Sequence, residues 1–398
     1  MRPFKTALIE ITEPATSVPA WVRQALQSEE VEFIVRGCRT QSDLKAIAFD
    51  ADLVWVWGNP VLRTTGLDLF TRCGAILRSG SGTDNVPVEE ATQHNILVVN
   101  TPGAVAQEVS DHAIALLLSI VRQTCAQDQL MRSGVYEFRR ENNRWHLAGT
   151  TLGLIGFGHI AQLVARKMVA FGVRILVYDP LISEKLIRSR GGEPVDFPTL
   201  MASSDFVSVH CPLTPETRHL INRNAVELMK PHAILINTSR GQIVEEAALI
   251  AALQEKRLGG AGLDVFEEEP LPSESQLLRL ENVVLTPHIA GYSDAFPESF
   301  WRFSVESVLA LANGYWPRAV VNPQVRPHWP LRRRQWPIHL DIEFVTRHKP
   351  PIGAPSDGGE AVSLAPADWI TTSETPLPAG TTRTVGSRSI DGSSVDSE

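Results

Sequence analysis

Three charged residues in the C-terminal half, Arg240, Glu269 and His288, combine the side chains needed to hold a carboxylate, move a proton and tune that proton. An arginine offers two parallel N–H donors to a carboxylate or keto oxygen. A histidine in its imidazolium form can protonate an alkoxide as it develops. A carboxylate beside the histidine favours the charged ring and keeps it protonated near neutrality. Taken singly, each has an ordinary reading. Arg240 would be a surface ion pair, Glu269 part of the solvated run Glu267-Glu268-Glu269-Pro270, and His288 a satisfied structural histidine. In their order behind a nucleotide-type turn, they match the requirements of hydride transfer to a 2-keto acid.

That turn is Gly156-Phe157-Gly158-His159-Ile160-Ala161, placed between the apolar stretch Leu152-Gly153-Leu154-Ile155 and an amphipathic segment over 161–171. Gly156 permits the tight turn, Gly158 lets backbone approach a pyrophosphate, and Ala161 allows close helix–strand packing. The helix N-terminus that follows supplies free N–H groups and a positive dipole end to phosphates. The next apolar stretch, 174–178, ends at Asp179, whose carboxylate can accept ribose hydroxyls and would repel a 2′-phosphate, so the spacing predicts NAD rather than NADP. Asp179 read alone would start a turn with Pro180. Asp264 ends a later strand, where it either receives the carboxamide of a nicotinamide or caps a turn. No cysteine or histidine cluster has metal-ligand spacing, and no metal is expected.

The elements that position these residues alternate. Strand-like runs at 7–11, 31–35, 53–57, 75–78 and 96–100, with a helical pattern at 21–27, predict a parallel sheet wound with helices. Thr101-Pro102-Gly103 breaks the pattern like a hinge. The helix predicted over 108–122 is apolar around most of its circumference, which suits either a core helix or a homodimer interface. A second α/β unit follows, with strands at 152–155, 174–178, 206–209, 233–237, 262–264 and 283–285. A helix over 297–312 stops at Asn313-Gly314. Past Pro323 the chain turns to Arg332-Arg333-Arg334 and then to a Ser/Thr/Gly/Pro-rich end, where disorder is expected from 352 onward.

At 398 residues the chain is too long for one core. A net charge of -8 argues against direct nucleic-acid binding. With scattered cysteines (Cys38, Cys73, Cys125, Cys211), no signal-peptide pattern and no long apolar run, the expectation is a cytoplasmic protein that does not span a membrane.

Further motifs carry a resemblance: Arg78-Ser79-Gly80-Ser81-Gly82-Thr83-Asp84-Asn85, His210-Cys211-Pro212-Leu213-Thr214, Asn237-Thr238-Ser239-Arg240-Gly241, Gly262-Leu263-Asp264-Val265 with Glu269-Pro270, and Thr286-Pro287-His288. With the glycine turn and Asp179, they make the chain, over about residues 5 to 323, closely resemble the NAD-dependent D-2-hydroxyacid dehydrogenases. That group contains glycerate, phosphoglycerate and formate dehydrogenases.

The resemblance implies catalytic places for Arg240, Glu269 and His288. It implies cofactor contacts at Ser81, Ile160, Asp179, Cys211, Thr217, Thr238 and Asp264, with Gly156, Gly158, His159 and Pro212 in the same cradle. Backbone amides of Ser79, Gly80, Ser81 and Gly82 would hold the substrate carboxylate together with Arg240. The implied fold is α/β: two Rossmann-like doubly wound parallel-sheet domains with a cleft between them, plus a disordered C-terminal tail. Residues 1–101 and 289–325 would form the substrate domain, 102–288 the NAD domain and 326–398 an extension. A homodimer would form through the 108–122 helix.

Phosphoglycerate dehydrogenases usually carry an Arg-Ser pair where this chain has Trp55-Val56-Trp57-Gly58-Asn59, so a small or apolar 2-keto acid such as glyoxylate or hydroxypyruvate is expected instead. A second reading rests on Arg78-Ser79-Gly80-Ser81-Gly82, Tyr178-Asp179-Pro180 and Tyr292-Ser293. These resemble the C-terminal-binding proteins, corepressors that recruit partners when NAD-bound, although Gly291 stands where they have tryptophan. Formate dehydrogenases pair glutamine with histidine, and Glu269 differs.

Overall fold

The computed structural model describes residues 3–10, 18–38, 40–57, 67, 72–136 and 146–332. The tail from 352, and Arg333 and Arg334, lie outside the described residues. Two parallel sheets organise the rest. The first contains β1 (Lys5–Glu10), β2 (Glu32–Gly37), β3 (Leu53–Val56), β4 (Ala75–Arg78) and β5 (Leu97–Val99), in the order β2-β1-β3-β4-β5. Its crossovers include α1 (Ala20–Ser28), α2 (Gln41–Asp50) and α3 (Val88–Gln93). Helices α4 (Ala106–Arg122) and α5 (Thr124–Arg132) lead to the second sheet.

The second unit runs β6 (Thr151–Ile155), α6 (His159–Val169), β7 (Arg174–Tyr178), α7 (Glu184–Ser189), β8 (Glu193–Pro194), α8 (Phe197–Ser203), β9 (Phe206–Val209), α9 (Arg223–Leu228), β10 (Ile234–Asn237), α10 (Glu246–Gln254), β11 (Gly260–Leu263) and β12 (Val283–Leu285). The sheet order is β12-β11-β10-β9-β6-β7-β8, the doubly wound arrangement whose strand order reverses beside β6. Every strand pair in both sheets is parallel, so crossovers cover both faces. The strands are correspondingly apolar throughout: all four residues of β3, β9 and β10 are buried.

Two helices cross between the sheets. The last, α11 (Phe296–Ala312), follows the second sheet in sequence but packs on the first. Its Trp301, Val305, Val308 and Leu309 share a core with Leu8, Trp55, Leu77 and Leu97. Conversely α4 leaves the first sheet and packs on the second, with Leu116, Leu117 and Val121 against Val164 and Met168 of α6. Gly262 of β11 would place a Cβ only 2.9 Å from Leu116 Cβ, so α4 lies directly on the strand. Of the two expectations for this helix, core packing accounts for its apolar face.

Several short helices escape the apolar periodicity because they span fewer than two turns, α7 to α9 among them. Helix α2 has a readable start: Asp43 N–H donates to Thr40 Oγ1 (3.2 Å) and Thr40 N–H to Asp43 Oδ2 (2.9 Å), a capping box. The stretch 326–332, expected as the beginning of the extension, is packed. The Trp329 ring fills the space above Gly74, where a Cβ would lie 1.9 Å from it, and meets the Phe4 ring edge-on at 5.6 Å. Arg332 N–H donates to Gly314 O at 2.8 Å. Among the described residues no helix is long and apolar enough to cross a membrane. Replacing Trp329 by alanine should destabilise the protein by about 2 kcal/mol, read as a fall in the urea midpoint at unchanged slope; an unchanged midpoint would show that this strap adds nothing.

Candidate active site

The glycine turn sits at the C-terminal edge of β6, where the strand order reverses. Gly156 has φ +86°, and a Cβ there would lie 2.7 Å from Cys211 N, so only glycine fits. Gly158 is the N-cap of α6, and a Cβ on it would meet nothing within 4 Å, leaving the approach to the helix N-terminus open. Ala161 is fully buried against the second core. His159 lies beside Gly103 of the hinge, 3.7 Å from where a Cβ there would sit, and Ile160 borders the core formed by Val105, Val109 and Ala290.

Asp179 forms the turn expected of it when read alone, and it also contacts the glycine turn. Its Oδ1 caps the following turn, accepting from Leu181 N–H at 2.8 Å and Ile182 N–H at 3.2 Å. Its Oδ2 accepts from Phe157 N–H of the glycine turn at 2.7 Å, which leaves a lone pair on that oxygen.

The loop after β9 closes on itself through Thr217 Oγ1–H, which donates to Pro212 O at 2.6 Å. Burial pushes the neighbouring Cys211 thiol up to about 11, so it stays neutral, and burial pushes His210 down to about 4, so it also carries no charge near neutrality. Ser239 Oγ–H donates to Cys211 O and ties this loop to the one after β10. Thr238 Oγ1 is buried without a hydrogen-bond partner. An orphaned hydroxyl, an open helix N-terminus and a carboxylate at the end of the adjoining strand fit a dinucleotide lying along this edge.

His288 Nδ1 and Glu269 Oε2 are 2.7 Å apart, and Glu269 Oε1 accepts from Phe266 N–H at 3.1 Å. Burial alone would raise the Glu269 carboxyl, but the bonds from His288 and Phe266, with the charge of Arg240, hold it below the usual glutamate range. A carboxylate only accepts, so Nδ1 carries the proton in this contact, and Nε2 is the ring nitrogen that Glu269 does not engage. The His288 side chain is half exposed.

Arg240 is held across the two sheets. Its Nε and Nη2 donate to Asp84 Oδ1 at 3.0 and 2.9 Å, and its Nη1 to Ser239 O at 2.7 Å. A Cβ on Gly82 would lie 1.8 Å from Arg240 Nη2, so that glycine is what admits the guanidinium. Burial would raise Asp84, yet Arg240 outweighs it and keeps Asp84 below its ordinary range. Arg78 lies close to both; burial brings it down to about 10, opposed by Asp84 and reinforced by Arg240. Its Nε donates to Asn85 Oδ1 at 3.0 Å.

In the loop that carries Gly82, Ser79 N–H is bonded to Val56 O and Gly80 N–H to Thr101 Oγ1. The N–H groups of Ser81 and Gly82 meet no acceptor among the described residues. Asn100 Nδ2 holds Ser81 O at 2.8 Å. The amides left for an anion are therefore those of Ser81 and Gly82, next to Arg240.

Asp84, Asn100 and Thr101 are the contributors that sequence reasoning did not single out. Asp84 lies within the glycine-rich stretch that was singled out, but its partner is 156 positions away. Asp264 is fully buried and gives both carboxylate oxygens to the turn bearing His288.

The family model for the D-isomer specific 2-hydroxyacid dehydrogenase NAD-binding domain matches residues 114–290. A glyoxylate reductase from Thermococcus litoralis is 44% identical over 252 residues, covering 61% of this chain and 75% of the relative. A D-3-phosphoglycerate dehydrogenase from Archaeoglobus fulgidus is 39% identical over 251 residues, 63% of this chain and 47% of that protein. The crystal structure of D-lactate dehydrogenase from Aquifex aeolicus, complexed with NAD and lactic acid, superposes with a TM-score of 0.69 at 29% identity, over 78% of this chain and 96% of that one.

The fold and these similarities define an α/β oxidoreductase with an NAD-binding domain. The chain belongs to the D-isomer specific 2-hydroxyacid dehydrogenase family.

The depressed Glu269 carboxyl has a consequence for stability. A carboxylate whose folded value lies below its unfolded value of about 4.3 stabilises the fold above that pH, and the contribution is lost as pH falls through the folded value. Urea unfolding should therefore show the wild type more stable than Glu269→Gln at pH 7, with the gap closing below about pH 4. An equal gap at both pH values would contradict the ion pair.

Proposed function

We propose that this chain is an NAD-dependent reductase of a small 2-keto acid, glyoxylate or hydroxypyruvate, yielding the D-2-hydroxy acid and running in reverse as a dehydrogenase. The observation that carries the reading is the His288–Glu269 pair at 2.7 Å, with Arg240 close enough for its charge to act on Glu269. The names of the relatives, glyoxylate reductases among them, support the substrate class.

In this reading the substrate carboxylate is taken by the free N–H groups of Ser81 and Gly82. Arg240 anchors the substrate and polarises its carbonyl. NADH, when bound, supplies the hydride that reaches the carbonyl carbon. His288 Nε2, in the protonated ring, gives its proton to the developing alkoxide, and Glu269 stabilises the imidazolium and holds its orientation. Gly156, Gly158, His159 and Ile160 cradle the pyrophosphate, and Asp179 accepts a ribose hydroxyl on Oδ2. Cys211, Pro212 and Thr217 line the adenosine side and Thr238 the nicotinamide side, where the buried Asp264, expected as a carboxamide acceptor, instead holds the turn behind it. Ser79 and Gly80 shape the carboxylate loop through their bonds to β3 and Thr101.

Residues 1–101 and 289–325 serve as the substrate domain and 102–288 as the NAD domain. The packed stretch 326–332 belongs with the former. The side chain of the substrate faces Trp57, which stacks on Trp301 at 4.2 Å, meets Phe300 at 6.2 Å, and shares an apolar cluster with Ile160 and Ala290. An aromatic wall gives no charge to a phosphate, which disfavours a phosphorylated substrate. Gly58 and Asn59 lie outside the described residues.

We further place the enzyme in the cytoplasm, in keeping with four free thiols. We read it as a homodimer whose contact involves the outward side of α4 and the exposed Met131 and Tyr136 that follow it.

Absorbance at 340 nm during NADH oxidation should reveal turnover of glyoxylate or hydroxypyruvate and poor turnover of phosphohydroxypyruvate. NADPH should be the weaker cofactor. His288→Ala should lower kcat by at least about a hundredfold while NADH still binds. Binding of NADH with no turnover of any 2-keto acid would overturn the reading and favour partner recruitment.

A further inference from the structure

The turn that carries His288 needs outside support. His288 itself has φ +54°, a left-handed conformation that a non-glycine residue keeps only when its surroundings over-determine it. Part of the support is the fully buried Asp264, whose backbone carbonyl accepts from His288 N–H at 2.8 Å. Its Oδ1 accepts from Ile289 N–H at 2.9 Å and its Oδ2 from Ala290 N–H at 2.8 Å. A third donor, Thr286 Oγ1–H, reaches Asp264 Oδ1 at 2.6 Å.

That hydroxyl has a partner of its own on α4. His112 Nε2 lies 2.9 Å from Thr286 Oγ1 and 3.6 Å from Asp264 Oδ1. Because the hydroxyl proton is committed to a carboxylate, which only accepts, His112 Nε2 must be the donor in the first contact. One turn earlier on the same helix, Glu108 Oε1 accepts from Ser293 Oγ at 3.1 Å. Between the two, Gly291 packs on Val105 and Val109, with space for a Cβ only 3.3 Å from Val105 Cγ2. The whole stretch 286–293 therefore lies along one face of α4. The helix is also fastened to the nucleotide helix α6, since Lys167 Nζ donates to Ser110 Oγ at 2.7 Å and Asp111 Oδ1 at 2.6 Å.

We propose that His112 is a positioning residue for the reaction, acting through Thr286 and the Asp264 carboxylate to hold the turn from which His288 projects. The inference rests on the reductase reading for its kinetic consequence but not for its structural one. Losing the His112 donor removes the bond that orients the Thr286 hydroxyl, and Asp264 then holds Ile289 and Ala290 less firmly. His288 Nε2 would wander from its line to the substrate, which lowers kcat more than it weakens binding.

Two readouts on the full-length protein test this. Amide hydrogen exchange of Ile289 and Ala290 in the absence of cofactor should be at least about tenfold faster in His112→Leu. With glyoxylate and NADH, kcat should fall about tenfold or more, while KM and the NADH Kd stay within about twofold. His112→Gln places an N–H near the same point and should restore both. Should the leucine variant fold poorly, Thr286→Val against Thr286→Ser poses the same question one bond further on. Unchanged exchange with unchanged kcat, or a glutamine variant as impaired as the leucine one, would overturn the proposal. Faster exchange in a protein whose wild type turns over no 2-keto acid would uphold the clamp and refute the reductase reading.

Discussion

A carboxylate taken wholly out of water must be met by donors or it destabilises the fold by several kcal/mol. Asp264 is in that position at the end of β11, and the chain answers with two backbone N–H groups and a threonine hydroxyl, all from the turn after β12. The turn is thereby obliged to lie across the C-terminal edge of the second sheet. His288 is carried there in a backbone conformation it would not choose alone. The burial of this charge and the placing of His288 are thus one arrangement.

The second constraint is the meeting of the two sheets at Arg240. The guanidinium reaches over from the loop after β10, enters the space vacated by a side chain at Gly82, and rests on Asp84. This ion pair is partly open to water, so its value lies less in stability than in direction. It fixes an arginine beside the two N–H groups that the first sheet leaves unbonded. Each sheet brings its own part to this meeting point: the first the amides of Ser81 and Gly82, the second the guanidinium of Arg240 and, beyond it, the His288–Glu269 pair. The two crossing helices make this possible, α11 by returning to the first sheet and α4 by lying under the second.

Much of the plan was legible residue by residue. Short all-apolar runs separated by amphipathic stretches predicted parallel strands, and eleven of them appear within a few residues of their expected places. The two-residue β8 escaped because it has no periodicity to read. The glycine turn was legible because Gly156 and Ala161 answer local steric demands, while Gly158 leaves the helix N-terminus open. The turn at Asp179 was legible from Asp179-Pro180, but not its contact with Phe157 of the glycine turn. The packing of 326–332 was not legible, since Trp329 matters only through the gap above Gly74, far off in sequence.

What the sequence determined by itself, then, was everything set by local stereochemistry and pattern: the class of fold and the glycine turn after β6. Tertiary structure alone decided which groups touch. It paired Arg240 with Asp84, consumed the amides of Ser79 and Gly80 while sparing those of Ser81 and Gly82, and set His112 behind Thr286. Such contacts join residues up to some 170 positions apart, as between His112 and Thr286. A hydrogen bond depends on angstrom-scale placement. No spacing along a chain encodes that until the sheets have stacked and the helices have crossed.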